Sequence, residues 1–189
     1  MTQVSKQQIK QWGSFSDRKD SFDDEEDINK FVEMVGKSDA LIQYLINFIK
    51  RGDYTWSFHP DRTDDDPEGK YGVDLALVEK GTNKRIANFD LERRGEWKSD
   101  WPAFYKAIHF LGRKEKFLNK GVPFFMCYLN YNRDRVLVLE EGDIVKYPTI
   151  NKHFSNGNVD DSVKRIPLSL GTIFGKYSKK ESTLFQTGG

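Results

Sequence analysis

Residues 72–94 carry the pattern that most constrains how this chain folds. Two stretches of alternating apolar and polar side chains, Val73–Val78 and Arg85–Glu92, flank a short polar turn, Lys80–Lys84. Alternation with a period of two is typical of strands, and a short glycine-containing turn between two such stretches predicts a β-hairpin.

The centre of the turn decides which residues face each other across the hairpin. If the centre lies at Thr82, Val78 opposes Ile86 and Asp74 opposes Asp90. Two like charges directly opposite each other destabilise a strand pair. This register therefore requires either a compensating cation or a raised carboxyl pKa.

Glu92 extends the acidic face, because side chains alternate along a strand and Glu92 lies two residues after Asp90. A divalent metal is the simplest compensating cation, since hard ions take oxygen ligands. The alternative is a solvated acidic face, which is common on antiparallel hairpins. A sheet covered on both sides would instead make the acidic face a cleft, and we favour metal-binding carboxylates.

Composition limits the class of protein. The chain has 189 residues, enough for one domain with a substantial core. No apolar run approaches a membrane span, and the polar N-terminus lacks a secretory signal. The single cysteine, Cys127, lies in an apolar run and is expected to be a buried thiol. These features predict an intracellular protein, cytoplasmic or nucleoid-associated, without a membrane partner.

Charge is distributed unevenly along the chain. Residues 1–100 hold 16 Lys and Arg against 21 Asp and Glu, whereas residues 101–189 hold 14 against 8. A basic half beside an acidic metal site suits a ligand with a phosphate backbone, because the cations displace condensed counterions while carboxylates hold the ion. Many soluble proteins show a split of this size without such a ligand.

Local patterns also predict the elements around the hairpin. The predicted helices are Ile28–Val35, Ala40–Arg51 with Ser38 as N-cap, and a third that Ser99 or Asp100 caps and Gly121 ends. The predicted strands outside the hairpin are Tyr54–His59, Pro123–Leu129 and Arg135–Leu139, followed by short apolar pieces at Ile166–Leu170 and Thr172–Phe174.

One domain is predicted over residues 27–178, between a flexible acidic arm at 1–26 and a flexible tail at 179–189. The last part of the domain is expected to form small strands or a subunit contact. The sequence leaves open whether two copies pair as a homodimer.

The element order αβββαβ, with one acid on the second strand and an acid-x-acid pair on the third, resembles the PD-(D/E)XK nuclease superfamily over residues 28–140. The resemblance implies an α/β fold with a restriction-endonuclease-like core, a mixed central sheet flanked by helices. It also implies that Asp74 and Asp90 hold Mg²⁺ or Mn²⁺, and that Glu92 stands where the family usually has a lysine.

The sequence departs from the family pattern at two places. Val73 occupies the position of the usual proline, and no lysine follows Asp90 at two residues. A shifted frame makes Glu92 the second ligand and puts Arg94 in the lysine position. Guanidinium stays charged and is a poor substitute for a lysine that must lose a proton, so we prefer the frame Asp90-x-Glu92.

Three further residues are candidates for the site. Arg94 can contact the scissile phosphate, Lys98 can supply the charge of the missing lysine, and Glu33 on the first helix can add a carboxylate to the metal. An exposed lysine and a solvated glutamate are the ordinary alternatives for the last two.

The predicted function is that of a divalent-metal-dependent endonuclease that hydrolyses phosphodiester bonds in DNA rather than RNA. One or two Mg²⁺ ions on the three carboxylates would polarise the phosphoryl oxygen and lower the pKa of the attacking water. Two alternatives stay open. One is a catalytically silent module on the same fold that binds nucleic acid or protein, and the other is a hydrolase of another phosphate ester.

Overall fold

The computed structural model describes residues 21–50, 52–62, 72–103, 105–154 and 159–175. Three helices, nine strands and two 3-10 helices lie in these ranges. The helices are α1 Ser21–Lys37, α2 Asp39–Ile46 and α3 Glu141–Ile144, and the 3-10 helices are Gly112–Phe117 and Leu168–Leu170. The strands are β1 Tyr54–Phe58, β2 Leu75–Glu79, β3 Arg85–Arg93, β4 Ala107–Leu111, β5 Phe124–Leu129, β6 Arg135–Glu140, β7 Thr149–Phe154, β8 Val159–Pro167 and β9 Thr172–Gly175.

The strands form two sheets. The central sheet has six strands in the order β1-β2-β3-β5-β6-β9. Strands β3 and β5 pair in parallel, and the remaining neighbouring pairs are antiparallel. The second sheet has three antiparallel strands in the order β4-β8-β7. The structure confirms an α/β protein with a mixed central sheet.

Both faces of the central sheet are covered. On one face, Phe31 of α1 packs on Phe89, whose ring stacks on Phe125 at 5.1 Å between centroids. On the other face, Phe110 of β4 packs against Phe124 of β5. A second core therefore lies between the central sheet and the three-stranded sheet, where the sequence predicted a helix.

The hairpin register agrees with the prediction over most of its length. Leu75 pairs with Phe89, and Leu77 pairs with Ala87, as a turn centred on Thr82 requires. The register then shifts after Leu77, so Val78 opposes Arg85 and not Ile86. The shift lies next to the turn, and the pairs from Leu75 to Leu77 keep the predicted register.

The helix predicted between Ser99 and Gly121 is wrong. This part of the chain forms β4 and a 3-10 helix, and β4 pairs with β8. Burial alternates along β4, with Ile108 and Phe110 buried and their neighbours partly exposed. Pairing with a distant strand overrides the capping signals, because tertiary context outweighs local helix propensity.

The second N-terminal helix, α2, begins at Asp39, one residue before the predicted Ala40, and ends at Ile46, before the predicted Arg51. Leu41 N–H donates to Ser38 Oγ at 3.2 Å, which confirms Ser38 as the N-cap of α2. Helix α1 begins at Ser21, inside the segment assigned to the arm. Residues 1–20 of the arm and the predicted tail lie outside the described residues. Within the described ranges, no helix combines the length and hydropathy needed to cross a membrane.

Asn130 joins the β5–β6 turn to the segment that follows β3. Its amide is fully buried and donates to Lys98 O and to Asp134 Oδ1, each at 2.7 Å. Its carbonyl oxygen accepts from the backbone N–H groups of Asp134 and Arg135, each at 3.0 Å. One fully buried side chain thus provides hydrogen-bond partners for three backbone groups.

Asn130→Ala is expected to lower the free energy of unfolding by about 3 kcal/mol, because it leaves buried donors and acceptors without partners. Urea unfolding followed by circular dichroism measures the change. Asn132→Ala is the matched control in the same turn, because Asn132 is exposed and its loss should cost less than about 0.5 kcal/mol. Equal losses in both variants would contradict a bridging role for Asn130.

Candidate active site

Strand β3 places two carboxylates in the layer between the sheets. Asp90 and Glu92 lie beside Met126 and Tyr128 of the parallel strand β5, on the face opposite Phe89. Asp90 is 5% exposed, so its carboxylate does not belong to a solvated sheet face. A buried charge needs a partner, because burial without one is costly.

Asp74 reaches the same place from the start of β2. It lies in a bend one residue before the strand, where its backbone oxygen accepts from His59 N–H at 2.8 Å. Its side chain turns toward β3, and Oδ2 accepts from Leu91 N–H at 2.8 Å. The carboxylate thus continues the hairpin ladder beside Asp90. The structure brings Asp74, Asp90 and Glu92 to one end of the hairpin, as the alignment predicted.

Lys114 supplies the compensating cation. This lysine lies on the 3-10 helix after β4, and its Nζ is 2.7 Å from Asp90 Oδ2 and 3.2 Å from Glu92 Oε2. Burial alone lowers the pKa of Lys114, but the carboxylates of Asp90 and Glu92, with Asp74 farther away, outweigh burial and raise it above its usual value. The ammonium is therefore charged at neutral pH.

Arg94 closes the other side of Glu92. Its guanidinium lies 3.1 Å from Glu92 Oε1 and donates to the backbone oxygen of His109 at 3.2 Å. The buried Tyr128 hydroxyl donates to the same oxygen at 3.0 Å, and the guanidinium lies 5.0 Å from the centre of the Tyr128 ring. Both oxygens of Glu92 therefore face cations, with Lys114 on one side and Arg94 on the other.

The remaining two predicted residues lie apart from the carboxylates. The ammonium of Lys98 is 3.3 Å from the centre of the Tyr131 ring, on the exposed surface. Glu33 pairs with Lys37 at 2.7 Å on α1, which covers the opposite face of the central sheet. Its hydrogen bond to Lys37 lowers the pKa of Glu33. The structure brings neither side chain to Asp90.

The described acidic residues do not form a closed metal cage. Among the described residues, no group of three or more His, Cys, Asp or Glu side chains has the arrangement to hold a metal ion. Mg²⁺ in phosphoryl-transfer sites often takes only one or two carboxylates and fills its shell with water and substrate oxygens. Asp74 and Asp90 provide such oxygen donors, whereas both oxygens of Glu92 pair with cations.

Sequence reasoning missed Lys114. The residues considered for the lysine position, Arg94 and Lys98, follow the strand that carries Asp90, and residues 112–117 lay inside a predicted helix. The basic run Arg113, Lys114 and Lys116 was the available signal, but only the strand β4 brings it over β3.

Comparison with known proteins does not assign this chain to a family. No family model matches the chain, and no curated protein matches it. A solved structure described as a nuclease from a fusselovirus aligns with 86% of this chain and 91% of its own, at 16% identity and a TM-score of 0.44. A likeness of that strength does not establish a shared fold, so the site itself must carry any conclusion about function.

Lys114→Met is expected to lower the free energy of unfolding by about 3 kcal/mol, because it leaves Asp90 buried without its cation. The same substitution in an Asp90→Asn background should cost at least about 1 kcal/mol less, since the two side chains act as a pair. Urea unfolding of the four proteins in this double-mutant cycle measures the coupling.

Lys146→Met is the control for this cycle. Lys146 is exposed and pairs with Asp143 at 3.1 Å, so its replacement should change stability by less than about 0.5 kcal/mol. Additive losses for Lys114→Met and Asp90→Asn would contradict the ion pair.

Proposed function

We propose that this protein is a nuclease that hydrolyses phosphodiester bonds in DNA with Mg²⁺ or Mn²⁺. The observation that supports the proposal is the position of the Lys114 ammonium between Asp90 and Glu92, where the more distant Asp74 carboxylate also raises its pKa. Metal-assisted phosphodiester hydrolysis needs oxygen ligands that hold the ion, and Asp74 and Asp90 offer carboxylate oxygens. A lysine from another element would also take the role of the lysine that the PD-(D/E)XK pattern lacks in this sequence.

Asp74 and Asp90 would hold the ion, and Glu92 would complete the site from the other side of Lys114. A bound divalent ion supplies Lewis acidity toward the phosphoryl oxygen and lowers the pKa of water. Asp74 is suited to a fixed position because its Oδ2 already accepts from the backbone of β3, which restricts the rotation of its carboxyl group.

Lys114 orients the reacting groups. An ammonium has three donors, and Asp90 and Glu92 accept two of them. The sulfur of Met126 lies 3.9 Å from Nζ and is only a weak acceptor. A water or a phosphate oxygen would displace it readily, so Lys114 can hold the attacking water or the phosphate beside Asp90.

Arg94 stabilises negative charge on the phosphate. A guanidinium keeps its charge and offers five donors in a plane, which suits phosphate oxygens. Its contacts with Glu92 and the His109 backbone hold that plane at the edge of the site. Arg94 thus acts through its position and its permanent charge and does not exchange a proton. The frame Asp90-x-Glu92 therefore remains the preferred one.

A silent binding module is the second candidate. The observation that favours it is the charge balance of Glu92, whose two oxygens already pair with the side chains of Arg94 and Lys114. Such a module would bind DNA through its basic residues and would not cleave it.

Cleavage of supercoiled plasmid DNA in Mg²⁺ or Mn²⁺ separates these candidates. We expect Asp74→Asn and Asp90→Asn to abolish cleavage and to leave DNA binding intact, because each removes a metal ligand. Lys114→Ala should lower kcat by about 10²- to 10³-fold, as is typical when one transition-state donor is lost. Lys116→Ala is the matched control, because this exposed lysine lies on the same 3-10 helix and should leave kcat within a few-fold.

Wild-type protein that binds DNA but never cleaves plasmid, linear or branched DNA in either metal would favour the silent module. Cleavage of RNA in preference to DNA would overturn the assignment of the substrate.

Thermal unfolding tests the ligands directly. Millimolar Mg²⁺ or Mn²⁺ should raise the melting temperature of the wild type, because an ion that binds only the folded state stabilises it by mass action. The increase should vanish in Asp74→Asn and Asp90→Asn. It should persist in Glu33→Gln, because α1 covers the opposite face of the sheet. Loss of the increase in Glu33→Gln alone would place the ion elsewhere.

A further inference from the structure

A cleft of about 330 Å³ lies between the segment that follows β3 and the strands β4 and β7. Arg94, which pairs with Glu92, is one of its lining residues. Trp101, Tyr105, His109 and Lys152 also line it, together with Glu96, whose carboxylate lies 3.8 Å from the Arg94 guanidinium. Its volume is at the lower end of the range of about 300–1,000 Å³ that small-molecule sites occupy. The cleft is therefore large enough for one small organic group but not for a duplex.

The aromatic wall of the cleft is held in place. Trp101 Nε1 donates to the backbone oxygen of Tyr105 at 2.8 Å. The Trp101 ring also packs edge-on against Trp97, which is 1% exposed, at 5.3 Å between centroids. Trp101 itself is partly exposed. A fixed indole with an accessible surface is the kind of group on which nucleobases stack.

The opposite part of the cleft is cationic. Lys152 Nζ lies 3.2 Å from Nε2 of His109. Burial, Lys152, Arg94 and Arg165 together lower the pKa of His109 to about 4, so its imidazole is neutral at pH 7. Burial, Arg165 and Arg94 also lower the pKa of Lys152. These charged groups that act on Lys152 are cations, and an anion bound beside them would relieve their mutual repulsion.

Arg94 connects the cleft to the carboxylates. It lines the cleft and at the same time lies 3.1 Å from Glu92. The backbone of His109, which Arg94 contacts, belongs to the strand that leads into the 3-10 helix of Lys114. A DNA strand with one phosphate at Asp90 would therefore have its neighbouring nucleotide at the cleft.

We propose that the cleft binds one unpaired nucleotide of a DNA strand, with its base on Trp101 and its phosphate at Lys152. That this nucleotide adjoins the cleaved bond rests on the proposed nuclease function. A base inside a duplex is stacked on both sides and cannot reach a pocket of this size unless it leaves the stack. The substrate class is therefore DNA that is single-stranded or has an unpaired nucleotide at the cleavage site.

Binding measured in EDTA tests the cleft without any cleavage. The probes are a labelled DNA duplex and the same duplex with one unpaired 2-aminopurine nucleotide. Wild-type protein should bind the second duplex at least about tenfold more tightly, the effect of stacking one base on an aromatic side chain. The 2-aminopurine fluorescence should fall on binding, as the base stacks. Equal affinities, or unchanged fluorescence, would overturn the proposal.

Two substitutions assign the roles of the side chains. Trp101→Ala should abolish the preference for the unpaired nucleotide, whereas Trp101→Phe should retain most of it. Lys152→Ala should reduce the slope of log affinity against log salt concentration by about 0.7, the contribution of one phosphate contact on a single strand. Lys80→Ala is the matched control on the β2–β3 turn and should leave that slope unchanged.

A preference that survives in Trp101→Ala, or an equal slope in Lys152→Ala and Lys80→Ala, would overturn the assignment. Tighter binding of the matching RNA would overturn DNA as the ligand. A wild-type protein that shows the preference but never cleaves would contradict the nuclease and keep the cleft, so the two proposals fail separately.

Discussion

The ion pair between Lys114 and Asp90 is the contact on which the rest of the site depends. Asp90 belongs to the central sheet and Lys114 to the 3-10 helix that follows β4, so the 2.7 Å contact joins two layers of the protein. Three carboxylates at one end of a hairpin repel one another. The ammonium offsets that repulsion only if β4 is packed against the central sheet. The position of the three-stranded sheet and the charge state of the site are therefore linked.

The layer between the two sheets explains why the acids form a site and not a solvated surface. Asp90 and Glu92 of β3 lie on the same face of the central sheet as the buried side chains of Met126 and Tyr128 of β5. Water is largely excluded there, so charges interact more strongly than on the surface. Buried ion pairs contribute little net stability, because the cost of removing the charges from water offsets their attraction. Strongly coupled charges in a partly enclosed place are typical of active sites.

Local sequence patterns predicted the elements whose structure depends on near neighbours. The hairpin register, the Ser38 cap and the strands β1, β5 and β6 follow from alternation, turn residues and capping groups within a few positions. The stretch that forms β4 carries helix-like capping residues, but its strand structure depends on pairing with β8, more than 50 residues later in the chain. Lys114 follows β4, so its position beside Asp90 depends on the same non-local pairing and could not be predicted from local patterns.

Under the proposed function, Arg94 and Lys114 would divide the work that one motif lysine does in the family that the sequence resembles. Lys114 pairs with both acids of the Asp90-x-Glu92 frame, and its remaining contact is with the weakly accepting sulfur of Met126. Arg94 pairs with Glu92 from the other side and also lines the aromatic cleft. Glu92 thus lies between two cations, Lys114, which also pairs with Asp90, and Arg94, which also lines the cleft. Under the proposed function, a phosphate that engages Arg94 would compete for its contact with Glu92 and would leave that carboxylate to Lys114 and the metal. Substrate in the cleft would then help to assemble the site that cleaves it.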